Sequence, residues 1–339
     1  MKIRFYPYTL ELKDTFTIST FSRKSTPAMI VELEHEGITG YGEASMPPYL
    51  GESIETVTGF LSSINFEKFE NPFDKESILQ EIDMYAPGNT AAKASIDIAL
   101  HDWIGKKTGY PLYQILGLNP DKTPLSSFTI GIGSIESVSK KVAETSQYPV
   151  LKIKLGSDKD METVETIRKL TDRTLRVDVN QGWSNREHAL EMIEWLASKN
   201  VELVEQPLPA DKIDDLVWLR EKSPIPIIGD EGVKRLTDIG KAWGVYDGIN
   251  IKLMKSTGIH EAYKMIITAK ALDMKVMIGC MTETTCAISA ASQLSPLADW
   301  ADLDGALLIR NDLFNGTEIN CGKIVIPDIP GIGIVPYNK

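Results

Sequence analysis

The sequence has few cysteines and no long apolar segment, and each shortage excludes a class of protein. Its 339 residues include three cysteines, Cys280, Cys286 and Cys321, and no Cys-x-x-Cys pair. This count is typical of reduced thiols in a cytoplasm, and it argues against zinc fingers and iron–sulfur frameworks. No apolar run approaches the ~20 residues of a membrane-spanning helix, and residues 1–16 lack the apolar core of a signal peptide. We therefore expect a cytoplasmic protein with no membrane partner.

The sequence also lacks a basic patch. Lysine and arginine together number 36 against 47 aspartates and glutamates, so the formal net charge is −11. Such a surface repels a polyanion, and we expect no nucleic-acid partner. The acidic balance is otherwise ordinary for an enzyme and says nothing about its substrate. The length corresponds to two domains, or to one large domain with a smaller companion.

Residues 1–118 read as an α+β unit. Residues 30–34 alternate polar and apolar side chains like a half-buried strand, and the small residues at 90–103 predict a helix packed closely against a neighbour. Two long loops, at about residues 17–26 and 45–53, interrupt this unit. Long loops in compact domains often serve as functional lids, and we interpret both in this way.

A repeating pattern occupies residues 119–315. Eight short β-rich runs recur at a period of about 25 residues, and each gap has room for one helix. The runs are 128–130, 150–154, 175–179, 203–205, 225–230, 248–253, 275–279 and 300–304. This alternation predicts a parallel sheet, and eight units favour closure into a (β/α) barrel over an open doubly wound sheet. Residues 316–339 do not continue the repeat, and we expect them to return to the first unit.

Charged residues stand at the ends of runs that should be apolar throughout. Asp178, Glu205 and Asp230 end three successive units, and in a barrel such ends form the active site. Lys152 and Lys154 are two residues apart, so both face one side of their strand. Three converging carboxylates repel one another, and a hard divalent cation with oxygen ligands relieves that repulsion. We therefore predict a Mg²⁺ site, and zinc is disfavoured because no His or Cys joins the three.

Each charged residue also has a structural interpretation. A single aspartate at a strand end is most often a helix cap or an ion-pair partner, and two lysines on one strand are most often solvated. Burying an unpaired charge is costly, however, and charges at matching positions of six strands are not a folding accident. The later strand ends continue the pattern with Lys252 and Lys255, then Asp302 and Asp304.

Five motifs in order resemble the enolase superfamily, in its muconate-lactonizing subgroup. They are KIK at 152–154, DVNQGW at 178–183, EQP at 205–207, GDE at 229–231 and NIKLMK at 250–255. The resemblance covers nearly the whole chain. It implies a modified TIM barrel of the (β/α)7β type with an α+β N-terminal capping domain. Asp302-Leu303-Asp304 is similar to the Asp-x-Asp signature of the dipeptide epimerases in this subgroup.

The resemblance implies a role for each residue. Asp178, Glu205 and Asp230 would bind one Mg²⁺ per subunit, which would hold the α-carboxylate of the C-terminal residue of a dipeptide. Lys154 and Lys255 would stand on opposite faces of the Cα, where one removes the proton and the other returns it. An α-proton beside a carboxylate is a very weak acid, so the reaction needs both a base and stabilisation of the developing enediolate.

The same resemblance assigns the rest of the pocket. Lys152 would stay charged and contact the substrate carboxylate. Asp302 and Asp304 would bind the N-terminal ammonium of the dipeptide, a match of opposite charges. The candidate lining residues at the ends of the first and seventh strands are Thr129, Cys280 and Thr282. For Cys280, a small buried apolar role is an equal alternative.

The side-chain specificity depends on the first N-terminal loop. Acidic-substrate enzymes of the family use an arginine there to bind the γ-carboxylate of glutamate. Here the loop contains Arg23 and Lys24, whereas the family position falls nearer Phe21. Either Arg23 or Lys24 reaches in from a shifted loop, or the substrate is not acidic. The expected substrate is L-Ala-D/L-Glu from peptidoglycan breakdown.

Other functions remain open at this point. The same site suits a muconate cycloisomerase, or an o-succinylbenzoate synthase with N-acylamino acid racemase activity. A class I aldolase would use a Schiff-base lysine without a metal, and the carboxylate trio argues against it. A non-catalytic metal-binding protein is the alternative from another class. The sequence does not reveal the oligomeric state, and a homo-oligomer is one of the possibilities.

Overall fold

Three long antiparallel strands open the chain and form one sheet in the order β1-β2-β3. They are β1 (Lys2–Thr17), β2 (Ser22–His35) and β3 (Ile38–Ser45). The computed structural model describes residues 1–337. Glu36 and Gly37 join β2 to β3 with positive φ angles of 49° and 74°, as a tight two-residue hairpin turn requires. The hairpin between β1 and β2 reaches the barrel, where the Ser19 hydroxyl donates to Asn180 O at 3.0 Å.

Four helices complete the first region. They are α1 (Ile54–Ser63), α2 (Lys75–Met84), α3 (Thr90–Thr108) and α4 (Leu112–Ile115). Helix α3 packs so closely against β3 that a Cβ on Gly42 would lie 1.9 Å from Ser95 O. All of its side chains over residues 91–105 are buried, which agrees with the close packing predicted from its small residues. Among the helices within residues 1–337, none combines the length and the apolar character needed to cross a bilayer.

Eight parallel strands follow and are hydrogen-bonded in chain order. They are β4 (Phe128–Ile130), β5 (Val150–Lys154), β6 (Thr174–Asp178), β7 (Val201–Glu205), β8 (Ile227–Gly229), β9 (Gly248–Lys252), β10 (Lys275–Gly279) and β11 (Trp300–Asp302). A parallel bridge between Ser126 and Ala301 brings the first and last strands together. The predicted closed barrel is therefore confirmed.

One helix lies between each pair of successive barrel strands. The helices are α5 (Ile135–Glu144), α6 (Asp160–Leu170), α7 (Arg186–Ser198), α8 (Ile213–Lys222), α9 (Ile239–Ala242), α10 (Ile259–Ala271) and α11 (Thr285–Ser292). After β11 the chain makes only a short 3₁₀ turn at Gly305–Leu308 before it leaves the barrel. Eight strands and the seven helices between them make the barrel of the (β/α)7β type, as the resemblance implies.

Apolar and charged residues form separate layers inside the barrel. Leu203, Ile228 and Met277 make a buried apolar cluster of their own. Leu203 is two residues before Glu205 on β7, so the two side chains face the same side. The apolar cluster thus lies beneath the carboxyl ends of the strands, where the charged side chains stand.

The C-terminal segment contacts the first region. Its strands are β12 (Phe314–Asn315), β13 (Glu318–Asn320), β14 (Lys323–Val325) and β15 (Val335–Pro336). Gly331 donates its N–H to Tyr110 O at 3.1 Å and accepts from Leu112 N at 2.8 Å. Ile332 N donates to Asp102 Oδ1 on α3 at 3.0 Å. The division of the chain after residues 118 and 315 stays a prediction.

Candidate active site

A cavity that is partly open to solvent lies at the carboxyl ends of the barrel strands beneath the first region. Most of the predicted site residues line it: Arg23, Thr129, Lys152, Lys154, Cys280, Thr282, Asp302 and Asp304. Several residues that the sequence did not single out for this pocket line it as well: Phe16, Ile18, Phe21, Tyr49, Asn180, Lys252, Met281 and Leu308. The first region therefore covers the mouth of the barrel site.

The three predicted metal ligands converge beside this cavity. Asp178 ends β6, Glu205 ends β7 and pairs with it in register, and Asp230 follows β8 directly. One carboxylate oxygen of each lies within 4.8 Å of the others. The side chains are 0%, 0% and 2% exposed respectively. Neighbouring parallel strands thus deliver three carboxylates to one buried point.

The electrostatics of this trio fit a hard divalent cation. Burial raises the pKa of Glu205 to about 7, and the charge of Asp178 adds to that effect. Burial alone would also raise the pKa of Asp178, but Lys154 and Lys152 lower it to about 2. Glu205 Oε2 has no hydrogen-bond partner of suitable angle, although Lys152 Nζ lies 2.7 Å away. Three carboxylates with no His or Cys among them form the kind of oxygen ligand set that Mg²⁺ prefers.

Lys152 joins the trio to the Asp-x-Asp motif. Its ammonium lies 2.6 Å from Asp302 Oδ2, 2.7 Å from Glu205 Oε2 and 3.2 Å from Asp178 Oδ2. Burial lowers the pKa of Lys152, but these three carboxylates outweigh burial and raise it well above its ordinary value. Lys152 is therefore a fixed positive charge at the centre of the site.

Two further lysines face the cavity from opposite sides of the barrel. Lys154 ends β5 and lies 2.6 Å from Asp178 Oδ2, and Lys252 ends β9 and lies 2.7 Å from Asp230 Oδ2. β5 and β9 are four positions apart in the ring of eight strands. A substrate between them would meet one amine on each face.

The structure places Lys255, the predicted second lysine, outside the cavity lining. Its ammonium is 3% exposed and surrounded by oxygen atoms of the protein. The reason is local geometry, because β9 ends at Lys252 and Lys255 N then donates to Lys252 O in a tight turn. Asn250 contacts Glu205 Oε1 at 2.8 Å inside the barrel. The alternation from Asn250 to Lys252 is the sequence signal that would have identified the inward lysine.

Judged by pKa direction alone, Lys255 would be a better general base than Lys252. Burial lowers the pKa of Lys255, which is a property sought in a base. Burial also acts on Lys252, but Asp230 and other acidic groups outweigh it and raise its pKa well above the ordinary value. Reach toward the substrate comes before pKa in choosing a base, so Lys252 is the candidate.

The two basic residues predicted in the first loop lie at the start of β2 instead, and only Arg23 reaches the cavity. Its Nη2 donates to Thr282 Oγ1 at 2.8 Å, and its Nε and Nη1 are buried without a hydrogen-bond partner. Burial lowers the pKa of this guanidinium. Lys24 is exposed, because adjacent residues of a strand face opposite sides. Within residues 1–337, Arg23 has no carboxylate partner, which leaves its charge available to a ligand.

The Asp-x-Asp motif supplies negative charge to another part of the cavity. Asp302 Oδ1 accepts from Ser127 Oγ at 2.9 Å, and Asp304 Oδ2 accepts from Thr129 N at 2.6 Å. Burial, and then the charge of Asp302, raise the pKa of Asp304 to about 7. Burial also raises the pKa of the Cys280 thiol well above its ordinary value, so this sulfur is neutral. An added ammonium group would relieve the repulsion between the two aspartates.

The fold and the site together define a barrel with a buried carboxylate trio and lysines on opposite strands, as in metal-dependent barrel enzymes, and comparison with known proteins identifies the family. Residues 3–117 match the N-terminal domain of mandelate racemase and muconate lactonizing enzyme. Residues 135–339 match the enolase C-terminal domain-like family. The chain belongs to the mandelate racemase and muconate lactonizing branch of the enolase superfamily.

Similar proteins in this family are epimerases. The L-Ala-D/L-Glu epimerase of Bacteroides thetaiotaomicron is 54% identical over 336 residues, which cover 99% of this chain and 88% of that protein. The substrate-liganded L-Ala-D/L-Glu epimerase of Bacillus subtilis superposes with a TM-score of 0.94 at 29% identity, covering 99% and 98% of the two chains. The Enterococcus faecalis dipeptide epimerase complexed with Mg and L-Leu-L-Tyr superposes at 0.91 with 32% identity, covering 98% of each chain.

Proposed function

We propose that this chain is a Mg²⁺-dependent dipeptide epimerase, an isomerase that inverts the Cα of the C-terminal residue of L-Ala-D/L-Glu. The observation that carries the proposal is the placement of Lys154 and Lys252 on opposite strands around a buried carboxylate trio. Similar enzymes bear this activity in their names. The first loop and the Asp-x-Asp motif supply the groups that would bind the two ends of the substrate.

Asp178, Glu205 and Asp230 are the residues that would hold Mg²⁺. When bound, the cation stabilises the negative charge that develops on the substrate carboxylate as the α-proton leaves. Lys152 adds a fixed positive charge beside the same carboxylates, 2.7 Å from Glu205 Oε2. This charge is buried, so it acts in a medium of low dielectric, where electrostatic stabilisation is strongest.

Lys154 and Lys252 are the proposed acid–base pair. One, as a neutral amine, accepts the α-proton from its side, and the other, as an ammonium, donates a proton from the opposite side. Delivery to the opposite face inverts the stereocentre. Lys252 replaces Lys255 in this role because Lys252 lines the cavity and Lys255 does not. In the reverse direction the two lysines exchange roles.

Arg23 is the proposed receptor for the side-chain carboxylate of glutamate. A buried guanidinium with two unpartnered nitrogens carries a desolvation cost that an anionic group would offset. A guanidinium also donates in a fork that matches a carboxylate. This charge favours an acidic residue at the epimerised position over the tyrosine of the Enterococcus faecalis complex.

Asp302 and Asp304 are the proposed receptors for the N-terminal ammonium. An N-acylated amino acid lacks this ammonium and would leave Asp304, which is 3% exposed and bonded to Thr129 but to no cation within residues 1–337, without an ion-pair partner. This observation disfavours racemisation of N-acylamino acids and o-succinylbenzoate synthesis on this site. Thr129 orients Asp304 through its N–H and its hydroxyl, at 2.6 and 3.2 Å.

We also infer where the substrate comes from and which part of the chain performs each function. The substrate would come from peptidoglycan, so the enzyme would serve cell-wall breakdown and recycling in the cytoplasm. Residues 1–118 form the capping domain that selects the side chain, and residues 119–315 form the catalytic barrel. The C-terminal segment that begins at residue 316 would return to the capping domain.

Deuterium exchange tests this function. The purified chain with Mg²⁺ and L-Ala-D-Glu in D₂O should incorporate deuterium at the glutamate Cα and yield a mixture of the D and L epimers. NMR follows both changes in one sample. N-acetyl-L-Glu is the matched comparison, because it keeps the carboxylates and lacks the ammonium. Absence of exchange with acidic and neutral dipeptides alike would reject the proposal, as would faster exchange with the N-acetylated compound.

A further inference from the structure

The ammonium of Lys255 is enclosed by four oxygen atoms. Nζ lies 2.5 Å from Asp230 Oδ1, 2.6 Å from Asp230 O, 3.0 Å from Val233 O and 3.0 Å from Asn250 O. The side chain is 3% exposed. Three N–H donors are thus shared among four acceptors, and a neutral amine would turn its lone pair toward an oxygen. The geometry therefore requires the ammonium form.

Three of these four oxygens belong to the turn that carries a proposed metal ligand. The turn spans residues 230–233 and is closed by a hydrogen bond from Val233 N to Asp230 O at 3.2 Å. Lys255 binds the carbonyls at both ends of this turn. Gln206 Oε1 binds two backbone amides of the same turn, accepting from Asp230 N at 2.9 Å and from Gly232 N at 3.2 Å. The turn is therefore held through its carbonyls by a cation and through its amides by Gln206.

The fourth oxygen links the turn to a second ligand. Asn250 O accepts from Lys255, and the Asn250 side chain donates to Glu205 Oε1 at 2.8 Å. Asn250 is therefore connected to both ligands. Its carbonyl reaches Asp230 through Lys255, and its side chain binds Glu205 directly. A change at Lys255 alters the spacing between two carboxylates that must converge.

We propose that Lys255 is a positioning residue for the metal site: its ammonium holds the Asp230 carboxylate and the 230–233 turn in the orientation that binds the divalent cation. The inference rests on the proposed function, because it presupposes that the trio binds Mg²⁺. Lys255 itself touches neither the substrate nor the cavity. Side chains that orient metal ligands commonly contribute about 10–100-fold to metal affinity.

The sign of the effect on metal affinity separates positioning from simple charge. Removal of a positive charge near a cation site, with the geometry unchanged, strengthens binding of the cation through Coulomb's law. Loss of a positioning contact weakens it. Lys252 also donates to Asp230, at Oδ2 and 2.7 Å, but among residues 1–337 it binds neither carbonyl of the 230–233 turn, so Lys252→Met removes a charge from the site without releasing that turn.

The chain offers a matched control for loss of a buried ammonium. Lys93 is 3% exposed and donates to three oxygens, Asp83 O, Asp83 Oδ1 and Ala86 O, at 3.1, 2.8 and 2.7 Å. It lies in the first region and touches no member of the trio. Lys93→Met therefore reproduces the general destabilisation that Lys255→Met causes, without the contact to Asp230.

Calorimetric titration of the metal-free full-length proteins with MgCl₂, without dipeptide, tests the proposal. Lys255→Met should raise the Kd for Mg²⁺ at least tenfold, and Lys255→Gln, which keeps a donor, should raise it by a smaller factor. Lys93→Met should stay within twofold of the wild type, and Lys252→Met should bind equally or more tightly. An unchanged or lower Kd in Lys255→Met would overturn the inference, and a wild type that does not bind Mg²⁺ would overturn the proposed function instead.

A measurement on the wild type covers the case in which neither Lys255 variant folds. Amine acetylation of the Mg²⁺-loaded protein, followed by peptide mass spectrometry, should modify exposed lysines such as Lys24 and leave Lys255 intact until the protein is unfolded. Modification of Lys255 at the rate of Lys24 would contradict its enclosed position and overturn the inference.

Discussion

The barrel and the first region bring two kinds of charge to one cavity. Lys152, at the strand ends of the barrel, is 1% exposed and lies against three carboxylates. Arg23, from the first region, has two buried nitrogens without a partner. The charge of Lys152 is balanced within the protein, whereas Arg23 has no ion-pair partner among residues 1–337. We therefore expect the barrel to supply the acid–base chemistry and the first region to select the substrate side chain.

The charged side chains of the two parts are also held in place differently. Barrel register sets the ends of β6 and β7 side by side, so Asp178 and Glu205 converge without help from any loop. Arg23 instead depends on docking of the β1–β2 hairpin over the barrel, where it contacts Thr282. Asp178 and Glu205 are therefore fixed by one sheet, whereas the position of Arg23 depends on how two sheets pack together.

The largest expected effect comes from the barrel side, on removal of the metal. EDTA should reduce epimerisation of L-Ala-D-Glu to background, since the buried trio then lacks the cation that stabilises the developing enediolate. Excess Mg²⁺ should restore the rate, and polarimetry follows both changes. Full activity after exhaustive chelation would remove the metal from the account of the barrel.

Loss of either cavity lysine should be nearly as severe. Lys154→Met and Lys252→Met should each lower kcat for epimerisation by about 10²–10⁴-fold, the usual contribution of a general acid or base. KM should change much less, because Arg23 and the Asp-x-Asp motif bind the two ends of the substrate. Steady-state kinetics with L-Ala-D-Glu measure both constants. A kcat close to that of the wild type in either variant would contradict the paired-lysine assignment.

Substitution in the first region should change selectivity rather than chemistry. Arg23→Met should lower kcat/KM for L-Ala-D-Glu by about 10–100-fold, since the γ-carboxylate then enters a site without its cation. Activity toward L-Ala-L-Leu should hold or rise. Lys24→Met is the adjacent control and should change neither value, because Lys24 is exposed. Equal losses with both dipeptides would mean that Arg23 supports the fold of the site instead of reading the side chain.

The smallest effect concerns the contact between the two parts. Glu43 of β3 caps the start of α11 by accepting from Thr284 N at 2.9 Å, and burial raises its pKa from 4.5 to about 7. The folded state binds this proton more tightly than the unfolded state, so the contribution of Glu43 to stability is present below pH 4.5. That contribution is lost as the pH rises through about 7.

Thermal unfolding of the wild type and Glu43→Gln between pH 5 and 8 measures this slope. The glutamine variant does not titrate at this position, so the stability of the wild type relative to the variant should fall as the pH rises. Epimerase activity at fixed pH should differ little. A difference in Tm that is constant over this range would show that Glu43 is ionised throughout in the folded protein.

The sequence predicted the barrel and the trio because both follow from periodicity. Eight repeats define the strands, and matching ends place Asp178, Glu205 and Asp230 at one edge. The same two-residue period applies to Asn250 and Lys252 and identifies the inward lysine. Lys255, the residue that the resemblance implied, lies beyond the end of β9, where the strand period no longer decides which way a side chain points.

The first region was harder to predict for a physical reason. Arg23 and Lys24 are adjacent, and only the pairing of β2 shows that Arg23 faces inward. Phe21 and Tyr49 stack with ring centroids 5.9 Å apart, although they come from different connections of the sheet. Such contacts arise from tertiary packing of two loops, and no local pattern of residues encodes them.

Stereochemically resolved exchange is the measurement that tests the paired-lysine account most directly. Lys154→Ala and Lys252→Ala are each incubated with pure L-Ala-D-Glu and, separately, with pure L-Ala-L-Glu in D₂O with Mg²⁺. Since one base serves each face, each variant should exchange the α-proton of one epimer only. The epimer that Lys154→Ala exchanges should be the one that Lys252→Ala does not. Exchange of the same epimer by both variants, or of both epimers by either, would contradict the placement of Lys154 and Lys252 on opposite faces of one carbon.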